Sequence, residues 1–263
     1  MKTLPALAAV HAAPAVAAIG PVRRALFPAL AGIGGDPRHV ALTFDDGPHP
    51  QATPRLLRML DRHGVRATFF LVGRMVEEHP EVARSIATAG HEIAVHGYDH
   101  RLLLRRTPAD TLADLGRATS AVVAVTGRQP VWWRPPYGVA STAAMIGARR
   151  LGLAPVLWTC WGRDWTRRAT PESVYHAVRR GLAGGGTILL HDSDVSAAPS
   201  CWESMLGALP SILALCRARG YRVGPLGEHG LRTREAAFQR APRTRRTATA
   251  ATTAGSTTSP GPA

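Results

Sequence analysis

The 263-residue chain is predicted to be an α/β protein whose parallel strands form a distorted (β/α) barrel of about seven strands. Three observations predict this class. Short β-prone runs alternate with helical stretches, the pattern of successive βαβ units. The helical stretches carry matching start and stop signals. Polar residues cluster directly after the runs, where the loops of a parallel barrel build a site. An open doubly wound sheet fits the same count. No Gly-x-Gly-x-x-Gly follows the first run, however, which weakens a dinucleotide-binding reading.

Residues 1–37 are rich in Ala, Pro and Gly and read as an irregular extension packed on the domain. Lys2 followed by an apolar stretch also resembles a weak signal segment, interrupted by His11 and Pro14, so a cytoplasmic location is favoured and export to the cell envelope or beyond stays open. No uninterrupted run of about 18 apolar residues exists, and no transmembrane segment is expected. The strand-like runs lie at 40–45, 67–72, 92–95, 131–133, 155–158, 187–190 and 221–223. Val, Ile, Thr, Phe and Trp dominate them, as half-buried strands require.

The helices between them are punctuated alike. Thr53-Pro54, Thr107-Pro108 and Thr170-Pro171 each place a capping hydroxyl before a first-turn proline. Asp110 complements the positive end of its helix. Gly64, Gly90, Gly127, Gly152, Gly181 and Gly220 fall where helices should stop. From Arg232 onward the periodicity vanishes, and Arg240, Arg243, Arg245 and Arg246 lead into an Ala/Thr-rich end that is expected to be disordered. The predicted organisation is an extension at 1–37, a catalytic domain at 38–231 and a basic tail at 232–263.

The formal charge is +14. Such a balance can signal nucleic acid, but Lys2 is the only lysine and the excess is all arginine, which reads as compositional bias. Nucleic-acid binding is not expected, and the test is salt-dependent binding by a chain lacking the tail. Cys160, Cys201 and Cys216 form neither a disulfide framework nor a CxxC site. Oligomeric state is not legible.

The strand ends carry the chemistry. Asp45 and Asp46 close the first run; His96 and His100 follow the third, four residues apart. Arg134 and Tyr137 follow the fourth, Asp164 and Trp165 the fifth, and His191 and Asp192 the sixth. Two imidazoles and one carboxylate on a common rim make a divalent-metal site with open positions; zinc is the first expectation, with cobalt, iron or manganese as alternatives. A second carboxylate, an arginine beside it and an opposed histidine suit metal-assisted hydrolysis. An iron oxygenase shares the two-His, one-carboxylate set but has no use for a second carboxylate beside an arginine or for an opposed histidine.

At these residues the chain resembles the polysaccharide deacetylases of carbohydrate esterase family 4, the NodB-homology group, over about residues 38–230. Thr43-Phe44-Asp45-Asp46-Gly47-Pro48 matches the first family motif, His96-Gly97-Tyr98-Asp99-His100 the second, Arg134-Pro135-Pro136-Tyr137 the third and Leu189-Leu190-His191 the fifth. The resemblance implies Asp45 as catalytic base and Asp46, His96 and His100 as metal ligands. It implies that Arg134 positions the base, that the Tyr137 amide faces the oxyanion, that Leu189 lines the acetyl pocket and that His191 is the general acid. It also implies a barrel with fewer than eight strands and an acetylated carbohydrate as substrate: chitin oligomers, peptidoglycan glycan, O-acetylated xylan or, in some members, non-sugar amides.

Two departures stand out. Gly97 replaces a Ser or Thr, which implies a missing loop hydrogen bond and altered metal affinity. In the fourth motif Trp161 stands where an Asp is usual, while Asp164 remains to orient His191 and Trp165 to wall the pocket. His91 reads as structural, Asp99 as a loop residue, and Asp192 and Asp194 as either orienting the acid or forming a solvated turn. Trp158 reads as packed. Trp161 and Trp165 are candidates to stack on a sugar ring.

Overall fold

A computed structural model of the chain describes residues 3–231; the tail predicted at 232–263 lies outside them. Its strands are β1 (His39–Asp45), β2 (Thr68–Leu71), β3 (Glu92–Val95), β4 (Trp132–Trp133), β5 (Ala154–Pro155), β6 (Cys160–Trp161), β7 (Thr187–His191) and β8 (Arg222–Gly224). Seven lie side by side in the order β5-β4-β3-β2-β1-β7-β6, and β8 pairs with the beginning of β1. Every pairing is parallel. The result is the curled, barrel-like sheet expected, with one seam.

That seam falls between β5 and β6, which are the sheet's two edges and also neighbours in the chain. The predicted fifth run, 155–158, is therefore not one strand. Its backbone leaves the ladder after Pro155 and rejoins it at Cys160, so residues 156–159 bridge the gap between the edges. The N-terminal segment lies along the seam. The Leu157 amide donates to the Leu30 carbonyl at 2.7 Å, and the Thr187 hydroxyl donates to the Gly32 carbonyl at 2.7 Å. Backbone groups that a closed barrel would pair in its ladder are thus satisfied by the extension.

The extension is helical rather than irregular, with α1 (Thr3–Ala12), a 3-10 turn (Ala13–Ala18) and α2 (Gly20–Leu26). Alanine's helix propensity prevails, and the prolines at 14 and 21 fall in first turns, where no amide is needed. The buried Arg23 ties α2 to the barrel by donating to the Trp158 carbonyl at 2.8 Å. Among the described residues no single helix is long and apolar enough to cross a membrane.

The remaining helices are α3 (Ala52–Arg62), α4 (Gly73–Glu78), α5 (Pro80–Thr88), α6 (Pro108–Thr126), α7 (Thr142–Arg150), α8 (Pro171–Gly181) and α9 (Trp202–Ala218). Thr107 caps α6 by accepting from the Asp110 amide, and Thr170 caps α8 in a reciprocal box with Ser173. Thr53 does not cap α3. That helix begins one residue earlier, and the Thr53 hydroxyl instead donates to Asp192. Gly127 ends α6 with φ 65°, as predicted, whereas Gly181 stays helical and is small because Cys160 packs against it.

Alternation along the strands sorts the core. Leu42, Phe44, Phe69, Leu71, Ile93, Val95, Trp133, Ile188 and Leu190 face the helices in one fully packed cluster. Ala41, Phe70, Ala94, Trp132 and Val156 fill the barrel interior. Each large side chain buried this way contributes about 1.5–3 kcal/mol. The period of two also decides which residues reach the site, because side chains in step with Ala41, Phe70 and Ala94 point inward.

Candidate active site

The rim residues follow from register. Asp45 is level with both Phe70 of β2 and His191 of β7. His96 and Arg134 lie one residue past β3 and β4 but extend the ladder: the His96 amide donates to Leu71 at 2.8 Å, and the Arg134 amide to Val95 at 3.0 Å. Counted from the interior residues Ala41, Ala94, Trp132 and Leu189, each of these four is in step to point into the barrel mouth. The structure therefore brings together on one rim the residues that the sequence scatters over 147 positions, from Asp45 to His191.

Arg134 is fully buried beneath this rim. Its Nη1 donates to Asp45 Oδ1 at 2.6 Å and to Thr43 Oγ1 at 2.9 Å; Nη2 donates to the Leu157 carbonyl at 2.8 Å and Nε to Val156 at 3.2 Å. The guanidinium also lies over the Phe70 ring, 4.0 Å from its centre. Each nitrogen of the fork has an acceptor, so the buried cation is compensated. Among the described residues Asp45 Oδ2 has no hydrogen-bond partner; it lines the cavity, 3.6 Å from His96 Nε2.

Asp46, His96 and His100 converge beside it, with one ligand atom from each lying within 4.8 Å of the others. Asp46 Oδ1 is 3.4 Å from His96 Nε2 and 3.2 Å from His100 Nε2. The backbone is bent to achieve this. Asp46 (φ 77°), His100 (φ 55°) and Tyr137 (φ 60°) all occupy the left-handed region, which costs a non-glycine residue about 1–3 kcal/mol and concentrates at functional sites. His96 Nδ1 donates to the Arg134 carbonyl at 2.8 Å, which leaves its Nε2 as the lone-pair nitrogen facing Asp46. Burial pushes the His100 imidazole down to about 4. Burial acts the same way on His96, but the Asp45 and Asp46 carboxylates outweigh it and raise that ring.

Across the cavity stands His191. Asp164 grips it twice, accepting from the His191 amide at 2.7 Å and from Nδ1 at 2.9 Å. Burial disfavours the charged ring, yet the adjacent Asp164 carboxylate prevails and pushes it up to about 9. The wall between is aromatic. Trp158 stacks on Trp161 with centres 5.6 Å apart, Trp161 meets Trp165 at 4.7 Å, and Trp165 stands edge-on to His191 at 5.5 Å. These rings, Leu189 and Tyr137 enclose with the polar residues a cavity of about 260 Å³. Past His100 and Tyr137 a wider cleft of about 1130 Å³ continues over α6, so the mouth is open on one side.

The structure alters four readings of individual residues. Gly97 adopts φ 81°, a conformation that side-chain-bearing residues avoid. The loop is held instead from α6, where Asp114 accepts from the Tyr98 amide at 3.1 Å. Asp192 is neither an orienting residue for His191 nor a solvated turn. It is buried against Thr53, and burial raises its carboxyl to about 7. Trp158 packs as expected but also lines the cavity, because the chain has left the ladder at that point. Trp161 does not fall past a strand end; it closes β6, level with Leu189. Ser196, in the loop between β7 and α9, was not among the candidates. No spacing could have revealed it, since it reaches Asp46 from 150 positions away. His91 is structural, accepting from the Ala67 amide, and the three cysteines are buried and free.

Comparisons with known proteins bear on the family. The polysaccharide deacetylase family model matches residues 33–156. A chitooligosaccharide deacetylase of Azorhizobium caulinodans is 32% identical over 71% of this chain and 92% of its own length. The peptidoglycan-N-acetylglucosamine deacetylase of Listeria monocytogenes is 31% identical over 73% of this chain and 38% of its own. Among solved structures, the family 4 carbohydrate esterase from Streptomyces lividans in complex with acetate superposes with a TM-score of 0.64, at 31% identity, over 72% of this chain and 93% of that one. With such likeness spanning nearly the whole of an Azorhizobium relative and of a Streptomyces structure, and the motif residues gathered on one rim, the chain belongs to the polysaccharide deacetylase family, hydrolases of carbon–nitrogen bonds other than peptide bonds.

Proposed function

We propose that this protein is a metal-dependent hydrolase that removes acetyl groups from N-acetylglucosamine-containing oligo- or polysaccharides of the chitin-oligomer or peptidoglycan type. The observation that carries the reading is the pairing of a buried Asp45–Arg134 couple with an Asp164-held His191 on opposite sides of the Asp46, His96 and His100 cluster.

The cluster fits a divalent cation. Asp46 Oδ1 is buried without a hydrogen-bond partner among the described residues while two imidazole nitrogens face it, and an N,N,O donor set suits zinc first, with cobalt or another first-row ion as alternatives. When bound, such a cation supplies Lewis acidity that polarises a carbonyl and acidifies water. Asp45 takes the proton from the attacking water at Oδ2. Arg134 holds Oδ1 and fixes the carboxylate's orientation. His191, protonated through its partnership with Asp164, donates from Nε2 to the departing amine. In this reading the Tyr137 backbone amide donates to the developing oxyanion. Leu189, Trp165 and Trp158 form the apolar wall against which the acetyl methyl rests.

The test is acetate release from N-acetylglucosamine oligomers, measured after chelation and again after zinc or cobalt is added. Release that disappears and returns with the metal supports the reading. A folded, metal-loaded sample that releases no acetate from chitin oligomers or from peptidoglycan would reject this substrate class.

A further inference from the structure

We propose that Ser196 is a positioning residue for the metal site: its hydroxyl occupies one oxygen of Asp46 so that only the other is presented to a cation. The inference rests on the metal-site reading above. Ser196 Oγ donates to Asp46 Oδ2 at 2.5 Å. On the same carboxylate, Oδ1 has no hydrogen-bond partner among the described residues and faces both ring nitrogens. The two oxygens are thus differentiated before any cation arrives. An untethered carboxylate rotates about its terminal torsion and offers either oxygen or both; one tied at Oδ2 offers a single lone-pair direction toward the two imidazoles.

The tether is itself supported. Ser196 lies in the loop 192–201, which is fastened at several points. The Ala198 amide donates to the Trp165 carbonyl at 3.1 Å, which links the loop to the segment carrying the aromatic wall. Asp194 accepts from the Ser200 amide at 2.8 Å and lies 3.4 Å from His49 Nε2. The Val195 amide donates to Ser193 Oγ at 3.2 Å. The hydroxyl is therefore delivered by a loop whose own turn is hydrogen-bonded. Elsewhere in the cluster His96 has a comparable support in the Arg134 carbonyl. Partners that orient a metal ligand in this way are typically worth tenfold or more in metal affinity. Ser196 is solvent-exposed, so water replaces part of its function on removal, and the low end of that range applies.

The experiment is a Co2+ titration of the full chain, followed by visible absorption and by competition with a chelator. Ser196→Ala is expected to weaken Co2+ binding about tenfold, and Ser196→Thr, which restores the hydroxyl, to bind within about threefold of the parent. At saturating Co2+ the Ser196→Ala protein should recover most of its turnover, since the serine acts on the ligand and not on the substrate. Co2+ affinity of Ser196→Ala within twofold of the parent would overturn the inference and leave the catalytic reading intact. Failure of the parent itself to bind Co2+ would instead reject the metal site, and the role of Ser196 with it.

Discussion

Replacing Asp164 by Asn tests the acid assignment through its pH dependence. The carboxylate accepts from the His191 amide and from Nδ1, and its charge is the main support for a ring pushed up to about 9. An asparagine has one acceptor oxygen and an amide, so one of those two donors faces another donor, a loss of about 1–3 kcal/mol that is independent of pH. The charge term is different. Without it the ring returns to about 6.5 or below, a change of about 2.5 units, or about 3 kcal/mol. At pH 6 a variant ring at about 6.5 is about three-quarters protonated, so the lost charge costs little there. At pH 8 the parent ring remains about nine-tenths protonated and the variant about 3%, an additional loss of about thirtyfold. The assay is kcat/KM for acetate release from pH 5.5 to 9.5 with saturating metal, which reports the free enzyme's ionisations. The alkaline limb should move from near pH 9 to near or below pH 6.5. Stability follows the same sign: a folded-state pKa above the unfolded one means the pair's contribution is full below about pH 6.5 and fades as pH rises through about 9. An equal deficit in the variant at pH 6 and pH 8 would refute the claim that Asp164 keeps the acid protonated.

Other substitutions separate the remaining roles. Asp46→Ala should abolish zinc binding and turnover together, whereas Asp45→Asn should keep zinc and lose about 10²- to 10⁴-fold in rate; metal analysis alongside turnover checks both, and near-parental rates for Asp45→Asn would remove it as the base. Arg134→Met strands the Asp45 carboxylate in the interior and should destabilise the fold by about 3–5 kcal/mol in denaturant titration; an unchanged midpoint would contradict the buried pair. Trp161→Ala should raise KM for oligomers with kcat held within a few-fold, as expected when a sugar platform is removed. A fall confined to kcat would assign Trp161 to support of Trp165 and His191 instead.

Much of the barrel could be read from one dimension because its causes are local. Alternating apolar residues announce β1, β2 and β7, and the Thr-Pro and Gly signals bound α6 and α8, since strand faces and helix caps depend on neighbours a few residues away. The motif residues could be named for the same reason: Asp45, Asp46, His96, His100, Arg134 and His191 all lie at a strand's C-terminal end or in the loop directly after it. What they do to one another is a matter of register. Only the parallel pairing of β1 with β7 sets Asp45 level with His191, and only the ladder continuing past β3 and β4 turns His96 and Arg134 into the same mouth. The seam between β5 and β6, and the helical extension that lines it, depended on backbone groups left unpaired by curvature, which no composition encodes. Thr53 looked like a cap and serves Asp192 instead, because a partner 139 positions away competes better for its hydroxyl. Local pattern and motif carry the fold class, the family and the candidate reactive side chains. Which carboxylate oxygen the arginine holds, which oxygen of Asp46 lacks a partner among the described residues and which rings wall the cavity follow from distances between segments, and separation along the chain carries no trace of those.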